Sequence, residues 1–334
     1  MGKGRAALHY LLVAMVVVAA LLRPGAGASG STTELRPDLR TAPLPTSSSG
    51  FRIETSGGTT SFSFSNGLQN GGEGPFEVTP ATLPANDDCN NNGDPNDDVA
   101  MNQRIFLDSG DGVFERSVDT GQTLHPAGCM AFHQGHSHYH VDQMSNYRLI
   151  SESTGAIAET STKVTFCLVD NVRFDPSLPG SPPSSHYTTC GLGDQGISIG
   201  WHDVYHYSLE GQSFDVTDMP AGDYCLRSRI DPNNRFLETD ETNNVAEQRY
   251  LIDPAGLQAT ALSGTCTIPS GPAPVNDAFS APTAVTLGAT AGTNIDATKE
   301  AGEPSHGGDD GGASVWYAWT PDEPLDVTAH TCGS

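Results

Sequence analysis

Basic residues are scarce in this chain of 334 amino acids: 16 Lys and Arg stand against 40 Asp and Glu, a formal net charge of −24. Recognition of nucleic acid needs clustered Lys and Arg to neutralise phosphates. The same negative charge favours attraction of cationic partners such as amines. The charge therefore argues against nucleic acid as a partner, and we expect none, but charge alone decides no function.

Long apolar runs are missing beyond the N-terminus. Residues 11–22 form an apolar run that follows Lys3 and Arg5 and precedes the small residues 26–28. This order is typical of a secretory signal with its cleavage site, and the run is too short to cross a bilayer. We expect residues 1–28 to be a signal peptide, the mature protein to be secreted and extracellular, and no stable membrane insertion after cleavage. A retained N-terminal anchor is the alternative.

Patterns of amphipathic helices are also absent, and short strand-like stretches separated by turns take their place. The 37 glycines and 23 prolines fit such a chain. We predict a mainly β fold with an antiparallel β-sandwich-like domain and long loops. Residues 29–60, rich in Ser, Thr, Gly and Pro, are expected to be an extended lead-in with little core. The predicted strands are residues 60–66, 104–107, 138–150, 163–169, 202–209, 212–217, 223–230 and 245–252.

A change of composition marks the C-terminal part of the chain. Residues 269–274 are rich in Pro, Gly and Ser and are predicted to be a linker. Residues 275–334 resemble the first half of a small β-sandwich module common in exported bacterial proteins, and we expect this module to be truncated. The predicted main domain therefore covers residues 29–268.

Four histidines lie within eight residues, in the run FHQGHSHYH: His133, His136, His138 and His140. The last three alternate with other residues, which is the period of a β-strand and directs their imidazoles to one face. An all-nitrogen set of this kind suits Cu(II) or Zn(II). The run is therefore predicted to be a metal site, and the alternative is a His-rich surface loop without a ligand.

Strand geometry limits how these rings can meet. Residues i and i+4 of a flat strand lie about 13 Å apart, so one ion reaches all three rings only if the strand bends. Gly135, just before the run, could permit such a bend. Otherwise one ligand position belongs to His133 or to a histidine from elsewhere, the candidates being His125, His202 and His206.

Further motifs follow the histidine run in a fixed order. HSHYH precedes SNYRLI, KVTFCLVD, CGLGDQGIS, GWHDVY, FDVTDMPAGDYCL and ETDETNNV. This order of separated motifs resembles the catalytic domain of the lysyl oxidases over residues 35–268. A chance H-x-H-x-H would not bring the other motifs with it, so the resemblance is specific.

The resemblance implies an exported copper-dependent amine oxidase. In the family, the histidines that match His136, His138 and His140 bind Cu(II), and the residues that match Lys163 and Tyr205 cross-link into lysyl tyrosylquinone. The implied reaction converts primary amines to aldehydes with O₂ and releases H₂O₂ and ammonia. The lysine side chains of proteins are one candidate substrate among the primary amines.

The resemblance also implies that the fold brings Lys163 and Tyr205 together. Lys163 and Tyr205 are far apart in the sequence, so only the tertiary structure can join them. A strand beside the histidine strand in the same sandwich is expected to place Tyr205 close to the metal. Asp203 is the candidate catalytic base, because it precedes Tyr205 by two residues and so shares its strand face.

A calcium site is implied where the start and end of the domain meet. Hard oxygen donors suit Ca²⁺, and the alternative is a turn stabilised by Asx hydrogen bonds. The expected ligands are Asp38, the Leu39 carbonyl, Glu238, Asp240, Asn243 and Asn244.

The seven cysteines fit an exported, disulfide-bonded protein. We expect a bridge between Cys167 and Cys190. An odd number leaves one cysteine over, and Cys332 is the candidate. The pairing of the other four stays open: Cys89, Cys129, Cys225 and Cys266.

Departures from the family pattern bear on the site. Gly135 stands where the family has a cysteine, one residue is missing after HYH, and Asn146 stands where vertebrate members have a histidine. The groups around the cofactor and the substrate preference are therefore expected to differ.

Two other functions stay open. One is an exported metal-binding structural or adhesive β-domain in which no quinone forms. The other is a Zn-dependent hydrolase with Asp142 as its carboxylate base. A cross-link between Lys163 and Tyr205 separates the oxidase from the first alternative.

Overall fold

The computed structural model describes residues 33–81, 89, 98–161, 165–269, 273–286 and 314–320, together with 288, 290, 292, 294, 297, 298 and 300. The chain divides between residues 32 and 33 into two units, and all described residues belong to the second. The predicted signal peptide, Lys163 and Cys332 lie outside the described residues. The described part contains no helix that is long and apolar enough to cross a membrane.

The described residues form β-strands and no helix. In chain order the strands are β1 (Glu34–Leu35), β2 (Leu39–Thr41), β3 (Phe51–Ser56), β4 (Thr59–Phe64), β5 (Asn66–Asn70), β6 (Phe76–Pro80), β7 (Asp98–Leu107), β8 (Gln122–His133), β9 (His138–Val141), β10 (Ser145–Ser151), β11 (Ile157–Thr160), β12 (Val172–Arg173), β13 (Gln195–Ile197), β14 (Trp201–Tyr205), β15 (Ser213–Asp215), β16 (Gly222–Ile230), β17 (Val245–Asp253), β18 (Gln258–Leu262), β19 (Thr283–Ala284) and β20 (Tyr317–Ala318).

The described strands build four antiparallel sheets and one parallel pair. The first sheet has the order β13-β6-β7-β8-β9, with β1 also paired to β7. The others have the orders β11-β10-β16-β17-β18, β12-β14-β5-β2 and β15-β4-β3, and β19 pairs in parallel with β20. The prediction of a mainly β, antiparallel fold is confirmed, whereas the domain boundaries at residues 28, 268 and 274 stay predictions.

The main core is shared by the four antiparallel sheets and is rich in aromatic rings. Alternation along β4 turns Phe62 and Phe64 to the same face. Phe62 has no exposed surface, and its ring centroid lies 5.1 Å from that of Tyr250 and 6.1 Å from that of Phe51. This aromatic cluster links β3 and β4 to β17.

Three predicted strands were wrong in extent. Residues 138–150 form two strands, since β9 ends at Val141 and β10 begins at Ser145 in a different sheet. Gln143 lies between them with φ at 47°, a left-handed conformation that interrupts an extended chain. The predicted strand over residues 202–209 ends at Tyr205, and residues 165–169 hold a single bridge in place of a strand.

The expectation of little core in the N-terminal lead-in was also wrong. Leu35, Leu39, Leu44 and Phe51 are buried, and β2 and β3 pair with β5 and β4. Composition did not show that these residues are buried, because the strands that cover them come from later parts of the chain.

Disulfide bridges close three loops among the described cysteines. The predicted bridge between Cys167 and Cys190 is confirmed. The pairings that the sequence left open are Cys89–Cys129 and Cys225–Cys266.

Phe62→Ala should lower the free energy of unfolding by about 3–5 kcal/mol, because the truncation removes buried aromatic surface and leaves a cavity. Denaturant unfolding of the disulfide-bonded protein measures the change. Val118→Ala is the control, since Val118 is half exposed, and it should shift stability by less than about 0.5 kcal/mol. Equal losses in the two variants would contradict this placement of Phe62.

Candidate active site

The histidine run forms the end of a β-hairpin. β8 and β9 pair antiparallel, with His133 opposite His138. Residues 134–137 make the turn, in which the amides of His136 and Ser137 donate to the His133 carbonyl at 3.1 and 2.8 Å. The chain therefore reverses direction inside the run.

His136 lies in this turn, so the expectation that three rings leave one face of a strand was wrong. Only His138 and His140 lie on β9, where alternation gives them the same face. The bend falls at Ser137, whose φ is 57°, rather than at Gly135. The turn brings His136 back toward β9 and removes the separation that an extended strand would impose.

The three rings converge on one point. Nδ1 of His136 lies 3.5 Å and Nε2 of His138 lies 2.9 Å from Nε2 of His140. Two imidazole nitrogens that each lie about 2.0 Å from one ion are roughly 2.8 to 3.3 Å apart at tetragonal or tetrahedral angles. The observed separations come close to that spacing, so these residues fit one transition-metal ion.

A hydrogen bond orients one of these rings, and burial favours the ligating form of another. Thr165 Oγ1 lies 3.1 Å from Nδ1 of His140, which orients Nε2 of that ring toward His136 and His138. Burial, followed by the neighbouring imidazoles of His136 and His133, lowers the pKa of His138. A neutral imidazole is the form that binds metals.

His133 belongs to the same cluster. Its ring centroid lies 4.2 Å from that of His136 and 4.8 Å from that of His140, and its buried Nδ1 has no hydrogen-bond partner. The three distant candidates make their contacts elsewhere, with Thr123, Gln69 and Ser208: they are His125, His202 and His206.

One cavity connects the histidines with the other predicted site residues. Its volume is about 440 Å³. Asp142, the carboxylate that a zinc hydrolase would need, does not line it. The lining residues are His136, His138, His140, Cys167, Val169, Asn171, Asp203, Val204, Tyr205 and Leu209.

Tyr205 ends β14 and is buried beside the cavity. Its hydroxyl contacts two acceptors, the Cys167 carbonyl and Oδ2 of Asp203, the latter at 2.8 Å. The Phe166 ring packs edge-on against it at 4.6 Å. Burial, followed by the charge of Asp203, raises the pKa of Tyr205 well above its ordinary value. The phenol is therefore neutral at physiological pH.

Asp203 is almost completely buried, with 2% of its surface exposed. Its Oδ2 also accepts a hydrogen bond of 3.3 Å from the Val169 amide. β14, which carries Asp203 and Tyr205, lies between β12 and β5. This strand and the histidine strand belong to different sheets, and the shared cavity brings Tyr205 close to the histidines.

A connecting segment, residues 165–169, joins the two sheets at the cavity. Phe166 and Val141 exchange backbone hydrogen bonds of 3.0 and 2.7 Å, which attach the segment to β9. The threonine at its start contacts His140, and the backbone of Cys167 and Val169 holds the side chains of β14. Sequence reasoning missed this role, since it depends on backbone groups that carry no sequence signal.

The predicted calcium ligands meet near the start of β2. Glu238 is buried and accepts hydrogen bonds from the Leu39 amide at 2.5 Å and from Asn244 Nδ2 at 2.9 Å. Asn243 Nδ2 donates to Oδ1 of Asp38 at 2.8 Å. The side-chain oxygens of Asn243 and Asn244 are buried without a hydrogen-bond partner. Buried oxygens of this kind fit a hard cation.

Asp240 differs from the other predicted calcium ligands. It is exposed, and its Oδ1 accepts from the amide and hydroxyl of Thr242 at 2.9 and 2.6 Å, as in an Asx turn. Asp231 and Glu241, which the sequence did not single out, each bring a carboxylate oxygen within 4.8 Å of Glu238. Burial raises the pKa of Glu238 to about 8.

Comparison with known proteins gives the family. The lysyl oxidase family model matches residues 86–258, more than half of the chain. The chain belongs to the lysyl oxidase family. This confirms the resemblance that the ordered motifs indicated.

Curated relatives share only part of their length with this chain. Lysyl oxidase homolog 2 of Xenopus tropicalis is 34% identical over 123 residues, which are 36% of this chain and 15% of the relative. Lysyl oxidase homolog 2A of Danio rerio is 36% identical over 123 residues, with shares of 36% and 16%. Lysyl oxidase homolog 1 of Homo sapiens is 34% identical over 121 residues, with shares of 36% and 20%. The chain therefore spans a fifth or less of the length of these relatives.

Proposed function

We propose that the protein is an exported copper- and quinone-dependent amine oxidase that converts primary amines to aldehydes with O₂ and releases H₂O₂ and ammonia. One observation carries the proposal: three converging imidazoles share a cavity with a buried tyrosine and a buried carboxylate. Family membership supports the reaction class. The disulfide bridges fit an oxidising, extracellular location.

His136, His138 and His140 would hold the copper, since Cu²⁺ ranks highest among the divalent first-row metals for such donors. Bound copper and the quinone of Lys163 and Tyr205 supply the redox chemistry that carries electrons from the amine to O₂. Lys163 lies two positions before Thr165, which contacts the proposed ligand His140. This neighbourhood in the sequence supports the assignment of Lys163.

The protein's own residues bind the amine and move its proton. Asp203 lies beside the Tyr205 ring oxygen, where a carboxylate can accept a proton from the carbon next to a bound amine. Val169, Val204 and Leu209 line the cavity with apolar side chains, which contact the carbon chain of the substrate and reduce access of water. The cavity therefore combines an apolar wall with a single carboxylate among its described lining residues.

Copper-loaded protein should release H₂O₂ when it is given primary amines from a panel of alkylamines, polyamines and a lysine-containing peptide. Lys163→Ala and Tyr205→Phe should abolish the release, and Asp203→Asn should lower kcat by about 10²- to 10⁴-fold because a general base is lost. Tyr207→Phe and Asp215→Asn are matched controls outside the cavity lining. Full activity in Tyr205→Phe would contradict the proposal, and no peroxide with any amine would favour a structural metal-binding domain.

The triple variant His136→Ala, His138→Ala, His140→Ala should lose copper, because it removes all three proposed nitrogen ligands. Metal analysis after copper loading and dialysis measures this, with His125→Ala as a control that keeps its copper. Thr165→Val should weaken copper binding by about 10- to 100-fold, the usual effect of removing a partner that orients a ligand. One copper per chain in the triple variant would show that the assignment is wrong.

Calcium is the second cation of the proposal. Asp38, the Leu39 carbonyl, Glu238, Asn243 and Asn244 are its proposed ligands, and Asp240 could join them by leaving its turn. The buried oxygens without partners support this, as does the raised pKa of Glu238, because a bound cation would compensate a carboxylate that burial disfavours. The ion would tie β2 to the segment before β17.

Chelation should lower the melting temperature, and Ca²⁺ should restore it, since an ion that binds only the folded state stabilises by mass action, about 2.7 kcal/mol at a hundredfold excess over Kd. Glu238→Gln should remove this response. Glu54→Gln is the control, because Glu54 pairs with Arg52 at an exposed site. If the melting temperature of the unmodified protein changes with neither chelator nor Ca²⁺, the calcium site is contradicted.

A further inference from the structure

We propose that reduction of the Cys167–Cys190 bridge turns one wall of the cavity into a second, soft metal site made of two cysteine sulfurs and His138. A ring nitrogen of His138 and the two sulfurs all lie within 4.8 Å of one another. Two thiolates and an imidazole are donors that select Zn(II), Cd(II) or Cu(I). The site would form only in the reduced protein.

Backbone contacts hold these donors together independently of the sulfur–sulfur bond. The Cys190 carbonyl accepts a hydrogen bond of 3.0 Å from the amide of Tyr139, the neighbour of His138 on β9. The residue before Cys167 exchanges two backbone hydrogen bonds with Val141, at the end of the same strand. Both cysteines are therefore attached to β9, and cleavage of the bridge leaves the three donors side by side.

The bridge is also open to reagents. His138 and Cys190 are partly exposed, and Cys167 lines the cavity. By contrast, the Cys225 side of the Cys225–Cys266 bridge has no exposed surface. A small reductant and a metal ion can therefore reach the Cys167–Cys190 bridge from the cavity.

The chemistry balances with a trialkylphosphine as the reductant. The sulfur–sulfur bond breaks, phosphorus gives up two electrons, and water supplies two protons to the sulfurs and one oxygen to the phosphine oxide. A divalent ion then replaces the thiol protons, because thiolates are the ligating form.

His138 belongs to both sets of ligands, so occupation of the soft site would withdraw it from the copper site. This consequence rests on the proposed function, whereas binding at the soft site does not. The soft site and the oxidase function can therefore fail separately. Cadmium binding tests the soft site, and amine-dependent peroxide release tests the oxidase.

Cd(II) titration of the phosphine-reduced, full-length protein tests the site through sulfur-to-cadmium charge-transfer absorption. His138→Ala should weaken the thiolate-bound cadmium by at least about tenfold, since even the loss of an outer partner costs that much. The double variant Cys167→Ser, Cys190→Ser should lose this His138-dependent signal. The matched double variant Cys225→Ser, Cys266→Ser should keep the His138-dependent signal. Unreduced protein should show no His138-dependent signal.

Identical titrations of the unmodified protein and of His138→Ala would overturn the proposal, because the imidazole would then contribute nothing. A His138-dependent signal that survives in Cys167→Ser, Cys190→Ser would overturn it as well. Loss of the near-ultraviolet circular dichroism on reduction also counts against it, since the site requires the folded cavity wall.

Discussion

The two backbone hydrogen bonds between Phe166 and Val141 are the contact on which the candidate site depends. They attach the connecting segment to the histidine strand, while the carbonyl of Cys167 and the amide of Val169 hold the side chains of β14. Two sheets that share no strand thereby present their functional groups to one cavity. Without this contact, the hairpin and β14 would lose the direct backbone link through the connecting segment. Small displacements would matter for the proposed redox centre, because it needs a fixed distance between its metal and its organic ring.

Desolvation shapes both proposed metal sites, with different results for imidazoles and carboxylates. At the histidine hairpin, burial lowers the pKa of His138 and favours the neutral ring that binds a metal. At the calcium region, burial raises the pKa of Glu238 and Asp231 and disfavours their charged forms. A bound cation would reverse that cost for the carboxylates. Burial thus favours the ligating form of His138 directly, whereas the buried carboxylates would need the proposed cation to offset its effect.

The sequence predicted which described residues line the cavity better than it predicted how they are arranged. Alternation predicted the shared face of His138 and His140, and the ordered motifs indicated the family, which the family model confirmed. The turn at Ser137 could not be predicted, because serine has no particular preference for a positive φ. The pairing of β14 with β12 and β5 could not be predicted either, since alternation shows which face a residue takes but not which strands become neighbours. Thr165 escaped notice because its contact with His140 spans 25 positions.

We propose that Lys163 and Tyr205 form one cofactor close to the proposed copper ligands. Peptide mapping by mass spectrometry of protein matured with copper and O₂ tests this claim most directly. The predicted result is a single cross-linked species that contains both residues, is accompanied by a visible quinone absorption, and is absent from protein matured without copper. Recovery of both peptides unmodified from protein that oxidises amines would contradict the account.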